Sequence, residues 1–166
     1  MKETAIEDFV NMMKTAYDME GTQKTAFAEK DIRTVHTESG IKIHGFPDKV
    51  IQNSDGTYTV IDYKTGRRIK HFVDDPASML QATLYSYIVQ KEKHKTVSSF
   101  EYKYIRLTQS VASNTTGMSM ENHYAELNEI MLQLKACLDT GKFETATDNN
   151  VCKYCTFKDI CLKQKK

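Results

Sequence analysis

The chain has 166 residues, which is the size of about one domain. Its 23 Lys and Arg residues nearly balance its 22 Asp and Glu residues, which excludes nucleic-acid binding through net charge alone and leaves only local basic patches. An apolar content of 40% excludes intrinsic disorder, and no apolar run approaches the roughly 18 residues of a membrane-spanning helix. The first residues, MKETAIEDFV, lack the basic and apolar stretches of a secretion signal. We therefore expect a cytoplasmic protein with no membrane partner.

The spacing of apolar residues predicts three helices, and β-branched and aromatic runs predict four strands. The predicted helices cover 4–19, 78–91 and 120–138. The predicted strands follow Asp31 to about 37 and cover 41–51, 57–64 and 99–107, and 108–118 is predicted to be a loop. Short turns at 38–40 and 53–56 separate the first three strands, which predicts an antiparallel three-strand meander at the start of the sheet. The expected fold class is α/β, with a mixed sheet flanked by helices.

Two acidic residues and a lysine form the most informative group in the sequence. Asp62 and Lys64 lie two residues apart in one predicted strand, so their side chains point to the same face. Asp48 and Asp62 are each seven residues from Asp55, at the centre of the turn between their strands. Antiparallel pairing would therefore bring the two carboxylates close together.

Two carboxylates beside one lysine are suited to a hard divalent cation and a phosphate ester. Carboxylate-bound Mg²⁺ neutralises phosphate oxygens and activates water, and a nearby ammonium group stabilises developing negative charge. A solvated surface ion pair is the other interpretation of an Asp-x-Lys strand.

Three motifs in this order resemble the PD-(D/E)XK nuclease superfamily, and more closely its RecB-like exonuclease group, which includes the nuclease domain of AddB. They are GFPDKV at 45–50, VIDYKTG at 60–66 and QATLY at 81–85. The resemblance implies a restriction-endonuclease-like core over 1–145, and a Cys-rich tail over 146–166 that packs on the same domain.

The resemblance also assigns roles to individual residues. It implies that Asp48, Asp62 and the main-chain carbonyl of Tyr63 bind Mg²⁺ or Mn²⁺, and that Lys64 is the catalytic lysine. Glu29 occupies the place of an acidic residue ahead of the first motif, although an ordinary surface position explains it equally well. Gln81 and Tyr85 are implied to line the active site, while Tyr85 by itself could also be a core residue.

Three cysteines, Cys152, Cys155 and Cys161, have the close spacing of thiolate ligands. The family resemblance implies a [4Fe-4S] cluster, whose fourth ligand is not identified in this sequence. Cys137 is the only other cysteine and lies in the apolar stripe of a predicted helix, where a small core residue is expected. Zinc is the alternative metal for the tail.

The residues before Glu29 contain neither the histidine nor the cysteine that the family has upstream. This predicts an N-terminally shortened chain or a C-terminal fragment of a longer protein. The expected function is that of a Mg²⁺-dependent deoxyribonuclease, an exonuclease of recombination and repair whose partners are DNA and a helicase subunit or domain. The alternatives are a catalytically incomplete DNA-binding domain of a helicase–nuclease subunit, and a zinc-type interaction module on an unrelated α/β core.

Overall fold

A computed structural model shows an α/β fold with three helices and seven strands in its described part. It describes residues 2–22, 24–69, 76–114, 118–143, 152–156 and 158. The elements in chain order are α1 (Lys2–Glu20), β1 (Thr25–Ala28), β2 (Ile32–Val35), β3 (Lys42–Gly45), β4 (Lys49–Gln52), β5 (Tyr58–Lys64), α2 (Pro76–Lys93), β6 (Val97–Tyr104), β7 (Gln109–Asn114) and α3 (Met118–Thr140). All three predicted helices are confirmed.

Five strands form one mixed sheet in the order β1-β4-β5-β6-β7. The β5–β6 pair is parallel, and the other three pairs are antiparallel. Parallel neighbours need a long crossover connection, which α2 supplies between β5 and β6. The predicted mixed sheet is therefore confirmed.

The run expected to form a meander belongs to two sheets. β2 and β3 form a separate two-stranded sheet, whereas β4 pairs with β5 in the main sheet. The predicted single strand over 41–51 is instead two strands, which are separated between Gly45 and Lys49. Pro47 has no N–H to donate to a ladder, so the chain leaves one sheet at this point and enters the other.

Two edge strands were missed by sequence reasoning. β7 lies in a Ser- and Asn-rich run that was predicted to be a loop, and β1 lies in a short mixed segment. Neither run has strong intrinsic strand propensity. Both become strands because the neighbouring strands β6 and β4 offer them unpaired backbone groups.

The hydrophobic core lies between one face of the main sheet and α2. Val50, Val60 and Phe100 are paired across β4, β5 and β6 and are fully buried. Ile88 and Val89 of α2 belong to the same core cluster. Because strand side chains alternate, Asp62 and Tyr102 point to this same face, two residues further along their strands.

The opposite face of the sheet carries polar groups that contact the C-terminal end of α1. Lys49 Nζ lies 2.5 Å from Glu20 Oε2, and the hydroxyl of Tyr63 donates to Glu20 Oε1 at 2.5 Å. Lys103 Nζ donates to the carbonyl of Met19 at 2.6 Å. β5 therefore carries Asp62 on one face and, on the other face, Tyr63, which is bonded to the end of α1.

The chain divides into two compact units, 1–132 and 133–166. The first contains all seven described strands, α1, α2 and most of α3, and the second contains the end of α3 and the cysteine segment. Residues 144–151 lie outside the described residues, so the predicted boundary after residue 145 and the packing of the tail stay predictions. Among the described helices, none is long and apolar enough to cross a membrane.

Gly45 ends β3 where the small hairpin passes close to α2. A Cβ atom at this position would lie 3.0 Å from Ile88 Cδ1 and 3.1 Å from Tyr85 Cε1. We expect Gly45→Val to lower the free energy of unfolding by about 1–3 kcal/mol, measured by urea denaturation, because the core has no room for the added atoms.

Gly66→Val is the matched control, since a Cβ atom there would meet no atom within 4 Å. Its free energy of unfolding should change by no more than about 0.5 kcal/mol. Equal destabilisation by the two variants would contradict the close approach at Gly45.

Candidate nuclease active site

The strand register brings Asp48 and Asp62 opposite each other. Lys49 pairs with Ile61 in the antiparallel β4–β5 ladder, so Asp48, one residue before Lys49, faces Asp62, one residue after Ile61. This confirms the pairing predicted from their equal distances to the turn. That turn is held by a hydrogen bond from the Gly56 N–H to the Asn53 carbonyl at 3.0 Å, with Gly56 at a φ of +83°.

Glu29 lies beside Asp48, one residue after the end of β1. Ala28 pairs with Lys49, and the Glu29 N–H donates to the carbonyl oxygens of Asp48 (3.1 Å) and Pro47 (3.2 Å). Glu29 has a left-handed backbone, with a φ of +47°, and an exposed side chain. Glu29 just after β1, Asp48 just before β4 and Asp62 in β5 therefore occupy neighbouring positions.

Asp48 is held by the backbone of the strand opposite. Its Oδ2 accepts a hydrogen bond from the Tyr63 N–H at 2.7 Å. The N–H and C=O groups of one residue in an antiparallel ladder point to the same side, so the Tyr63 carbonyl also points toward the Asp48 side of β5. Asp48 and the Tyr63 carbonyl therefore share one side of β5, while the Asp62 carboxylate contacts Gln81 and Lys64 on the face of the sheet toward α2.

Asp62 is the most buried carboxylate of the site, with 10% of its side chain exposed. Its Oδ1 accepts a hydrogen bond from Gln81 Nε2 at 3.2 Å, and its Oδ2 lies 2.6 Å from Lys64 Nζ. Among the described residues, Oδ2 has this ion pair but no hydrogen bond of normal geometry. Burial raises the pKa of the Asp62 carboxyl above its ordinary value, and the charge of Asp48 also raises it, while Lys64 acts in the opposite direction.

Lys64 contacts three groups on the same face of the sheet. Besides Asp62, its ammonium lies 3.3 Å from Gln81 Oε1 and 4.6 Å from the centre of the Tyr102 ring. Sequence reasoning missed Tyr102, because only the parallel pairing of β5 with β6 places it beside Asp62. The alternation of Phe100, Tyr102 and Tyr104 in the sequence indicates that their side chains share one face of a strand. It does not indicate which strand is the neighbour of that strand.

Tyr85 lies on the same side of α2 as Gln81. Its hydroxyl donates to the carbonyl of Phe46 at 3.4 Å, and its ring stacks on that of Phe100, with centroids 6.3 Å apart. Burial raises the pKa of the Tyr85 hydroxyl, and the charges of Asp62, Asp48 and Glu29 raise it further. Tyr85 therefore packs against the core within the electrostatic influence of the carboxylates, and its role in an active site stays a prediction.

An open cavity of about 310 Å³ lies against this group. Lys64, Arg68, Ser78, Gln81 and Tyr102 are among the residues that line it. Arg67 and Arg68 follow β5 after two intervening residues and are exposed. A negatively charged chain in this cavity would meet two cations, Lys64 and Arg68, the first of which is paired with Asp62.

Comparison with known proteins identifies the family. The family model of the PD-(D/E)XK nuclease superfamily matches residues 4–162. The chain belongs to this superfamily. The crystal structure of a protein named SSO0001 has a similar fold, with a TM-score of 0.56, 18% sequence identity, and coverage of 95% of this chain and 70% of that chain. At this identity the likeness supports the fold alone, and no curated protein sequence matches the chain.

Membership of the superfamily confirms the restriction-endonuclease-like core and indicates a nuclease that acts on nucleic acid. Nucleases of this superfamily typically use Mg²⁺. The site fits this ion in donor type, because Asp48, Asp62 and the Tyr63 carbonyl present oxygen atoms and Mg²⁺ keeps several of its water ligands. Within the described ranges, no group of three or more His, Cys, Asp or Glu side chains has the arrangement of a metal site. The fit therefore rests on two carboxylates and a backbone oxygen.

The two histidines near the first motif have other partners. His36 is buried, and its Nδ1 lies 2.9 Å from Ser39 Oγ in the β2–β3 turn. His44 Nδ1 lies 3.5 Å from Asp31 Oδ1 on the small hairpin. Neither contact involves Asp48 or Asp62.

The cysteine tail is described only in part. Cys152 and Cys155 lie in one turn, where the Cys155 N–H donates to the Cys152 carbonyl at 3.5 Å. Cys161 lies outside the described residues. Cys137, expected in the core of its helix, is partly buried. The described cysteines do not supply the four thiolates of an iron–sulfur cluster.

Replacing Asp62 by Asn should raise stability at neutral pH. The folded-state pKa of Asp62 is raised, so the wild-type protein loses stability as the pH rises through that pKa, and the variant does not. The melting temperature of Asp62→Asn should exceed that of the wild type at pH 7 without divalent ions, and the difference should shrink toward pH 4.

Asp55→Asn is the control with the opposite sign. Hydrogen bonds from Thr57 lower the pKa of Asp55, so this carboxylate stabilises the fold above its unfolded-state pKa and stops doing so as the pH falls. Asp55→Asn should therefore lower the melting temperature at pH 7. A lower melting temperature for Asp62→Asn as well would contradict the proposed cost of burying Asp62.

Proposed function

We propose that the chain is a Mg²⁺-dependent deoxyribonuclease that hydrolyses phosphodiester bonds. The observation that carries this proposal is the placement of Asp48 opposite Asp62, with the Lys64 ammonium 2.6 Å from Asp62. A buried carboxylate whose charge is disfavoured by its neighbour gains stability from a bound dication. A carboxylate that is stabilised by additional positive charge supports the interpretation of Asp62 and Lys64 as part of a functional site, and not as a solvated ion pair on the surface.

Asp48, Asp62 and the Tyr63 carbonyl would hold Mg²⁺ or Mn²⁺, which when bound supplies phosphate neutralisation and an acidified water. Asp48 is kept in place by the Tyr63 N–H, and Asp62 by the Gln81 amide. Asp48 thus has one oxygen fixed by the protein before a ligand binds, and Asp62 has one oxygen held by Gln81 and the other paired with Lys64. This preorganisation limits the entropy lost on binding the ion.

Lys64 would act as the catalytic lysine. Its side chain is 33% exposed, so it reaches the cavity while its ammonium stays within contact distance of Asp62 and Gln81. A fixed positive charge at this position stabilises the negative charge that develops on the phosphate oxygens and orients the attacking water. Glu29 adds a third negative charge at the edge of the site.

DNA as the substrate is supported by the cations at the cavity. Lys64 and Arg68 line it, and Arg67 is exposed next to Arg68. Contacts between these side chains and phosphates would make binding weaken with rising salt concentration. The net charge of +1 offers no other general attraction for DNA.

The finer assignment is an exonuclease of the RecB/AddB-like group that acts in DNA recombination and repair. It is supported by the order of the three motifs, Asp48 in the first, Asp62-Tyr63-Lys64 in the second and Gln81 with Tyr85 in the third. A helicase subunit or domain is the proposed partner. A [4Fe-4S] cluster is the proposed ligand of Cys152, Cys155 and Cys161. Its fourth protein ligand is not identified.

Lys64→Ala and Asp62→Ala should each lower the rate of DNA hydrolysis in Mg²⁺ by about 100-fold or more, because the first removes the positive charge that stabilises the reacting phosphate and the second removes a proposed metal ligand. The measurement is single-turnover degradation of labelled single- and double-stranded DNA. Lys95→Ala removes an exposed lysine just before β6, at the end of that strand away from Tyr104, and should keep the wild-type rate.

Equal degradation by all of these proteins would defeat the enzyme proposal. DNA binding without hydrolysis by the wild type would favour the alternative of a catalytically incomplete DNA-binding domain. One observation favours this alternative: among the described residues, no group of three acidic or histidine side chains is arranged to hold a metal ion.

Metal analysis tests the cysteine tail separately. Protein purified without oxygen should contain iron and acid-labile sulfide, and Cys152→Ser should lose both because it removes a thiolate ligand. Cys137→Ser should retain them. Zinc in place of iron would contradict the cluster and favour a structural zinc tail.

A further inference from the structure

The hydroxyl group of Tyr102 is bonded to a side chain of the proposed site. It donates to Gln81 Oε1 at 2.6 Å and lies 3.4 Å from the carbonyl of Ser78, while Tyr102 itself is only 1% exposed. Both neighbouring oxygens can only accept, so the single hydroxyl hydrogen goes to the nearer one, Gln81 Oε1.

This bond acts together with Lys64 and Asp62 on the orientation of the Gln81 carboxamide. Its Oε1 accepts from Tyr102 and from Lys64 Nζ, and its Nε2 therefore faces Asp62 Oδ1 at 3.2 Å. A flipped amide would place its NH₂ group toward the Lys64 ammonium and its oxygen toward the Asp62 carboxylate. Both of these contacts would be repulsive.

The ring of Tyr102 also acts on Lys64. The ammonium lies 4.6 Å from the ring centre, within the range of a cation–π contact. Asp62 is a proposed metal ligand as well as a partner of Lys64. The ring and the Gln81 oxygen are therefore the two described contacts that hold the ammonium without using Asp62.

We propose that Tyr102 is a positioning residue, which orients the Gln81 amide through its hydroxyl and holds the Lys64 ammonium with its ring. None of the three sequence motifs contains Tyr102. The inference rests on the proposed nuclease function, because its consequence for the reaction is the placement of the catalytic lysine.

A second tyrosine–glutamine pair provides a matched control. Tyr124 of α3 is partly buried and donates to Gln90 Oε1 at 3.4 Å, and Gln90 lies on α2 like Gln81. Tyr102→Phe and Tyr124→Phe therefore remove the same kind of bond from the same helix. Only the first of these bonds lies at the proposed site.

The kinetic test is a double-mutant cycle. Tyr102→Phe keeps the ring and should lower kcat about 5- to 10-fold with an unchanged KM, the effect of losing one buried hydrogen bond. In a Gln81→Ala background the same substitution should change kcat less than about twofold, because its effect passes through Gln81. Tyr124→Phe should leave kcat unchanged in both backgrounds. An equal loss from Tyr102→Phe in both backgrounds would overturn the proposal.

Nuclear magnetic resonance gives a readout that does not depend on activity. The side-chain amide signals of Gln81, assigned by their absence in Gln81→Ala, should shift in Tyr102→Phe and stay in place in Tyr124→Phe. Unchanged Gln81 signals in Tyr102→Phe would overturn the proposal. If the wild type cleaves no DNA, the proposed function fails, while these signals still decide whether Tyr102 orients Gln81.

A measurement on the wild type covers the case in which Tyr102→Phe does not fold. The hydroxyl proton of Tyr102, protected by its bond to Gln81, should give a separate resonance with a nuclear Overhauser effect to the Gln81 amide. A hydroxyl proton that exchanges too fast to be seen would contradict the bond.

Discussion

The antiparallel pairing of β4 with β5 is the constraint on which the candidate site depends. Lys49 opposite Ile61 leaves Asp48 opposite Asp62, and a slip of one residue would turn every side chain of one strand to the other face. The register is secured by the apolar pair Val50 and Val60, both fully buried, and by the tight turn that ends at Gly56. The core and the site are thus specified by the same set of backbone hydrogen bonds.

This arrangement places like charges together and is costly for the folded protein alone. Burial and the neighbouring Asp48 both raise the pKa of Asp62, and the Lys64 ammonium offsets only part of that effect. Functional sites often retain such unfavourable electrostatics, because the groups that destabilise the empty site are the ones that bind a ligand of opposite charge. Nucleases of the superfamily to which the chain belongs typically use Mg²⁺, a ligand of opposite charge.

Two further elements, α2 and β6, place additional side chains against Asp62 and Lys64. α2 brings Gln81 between Asp62 and Lys64, and β6 brings Tyr102 beneath the same amide. On the other face of β5, the hydroxyl of Tyr63 is bonded to Glu20 at the end of α1. The strand that carries the proposed catalytic residues is therefore anchored on both of its faces, which limits its movement relative to the helices.

The sequence by itself determined the elements whose signals are local. The three helices follow from apolar periodicity, and the turn between β4 and β5 follows from Asn53-Ser54-Asp55-Gly56. Because side chains alternate along a strand and residues pair symmetrically about a tight turn, Asp48, Asp62 and Lys64 could also be grouped from the sequence.

Only the tertiary structure decided the rest, since those features depend on contacts between distant segments. The separation of the β2–β3 hairpin from β4, and the formation of β1 and β7, depend on which strand edges are available for pairing. The place of Tyr102 beside Asp62 depends on the parallel pairing of β5 with β6 across the α2 crossover, and no short-range pattern in the sequence encodes that pairing.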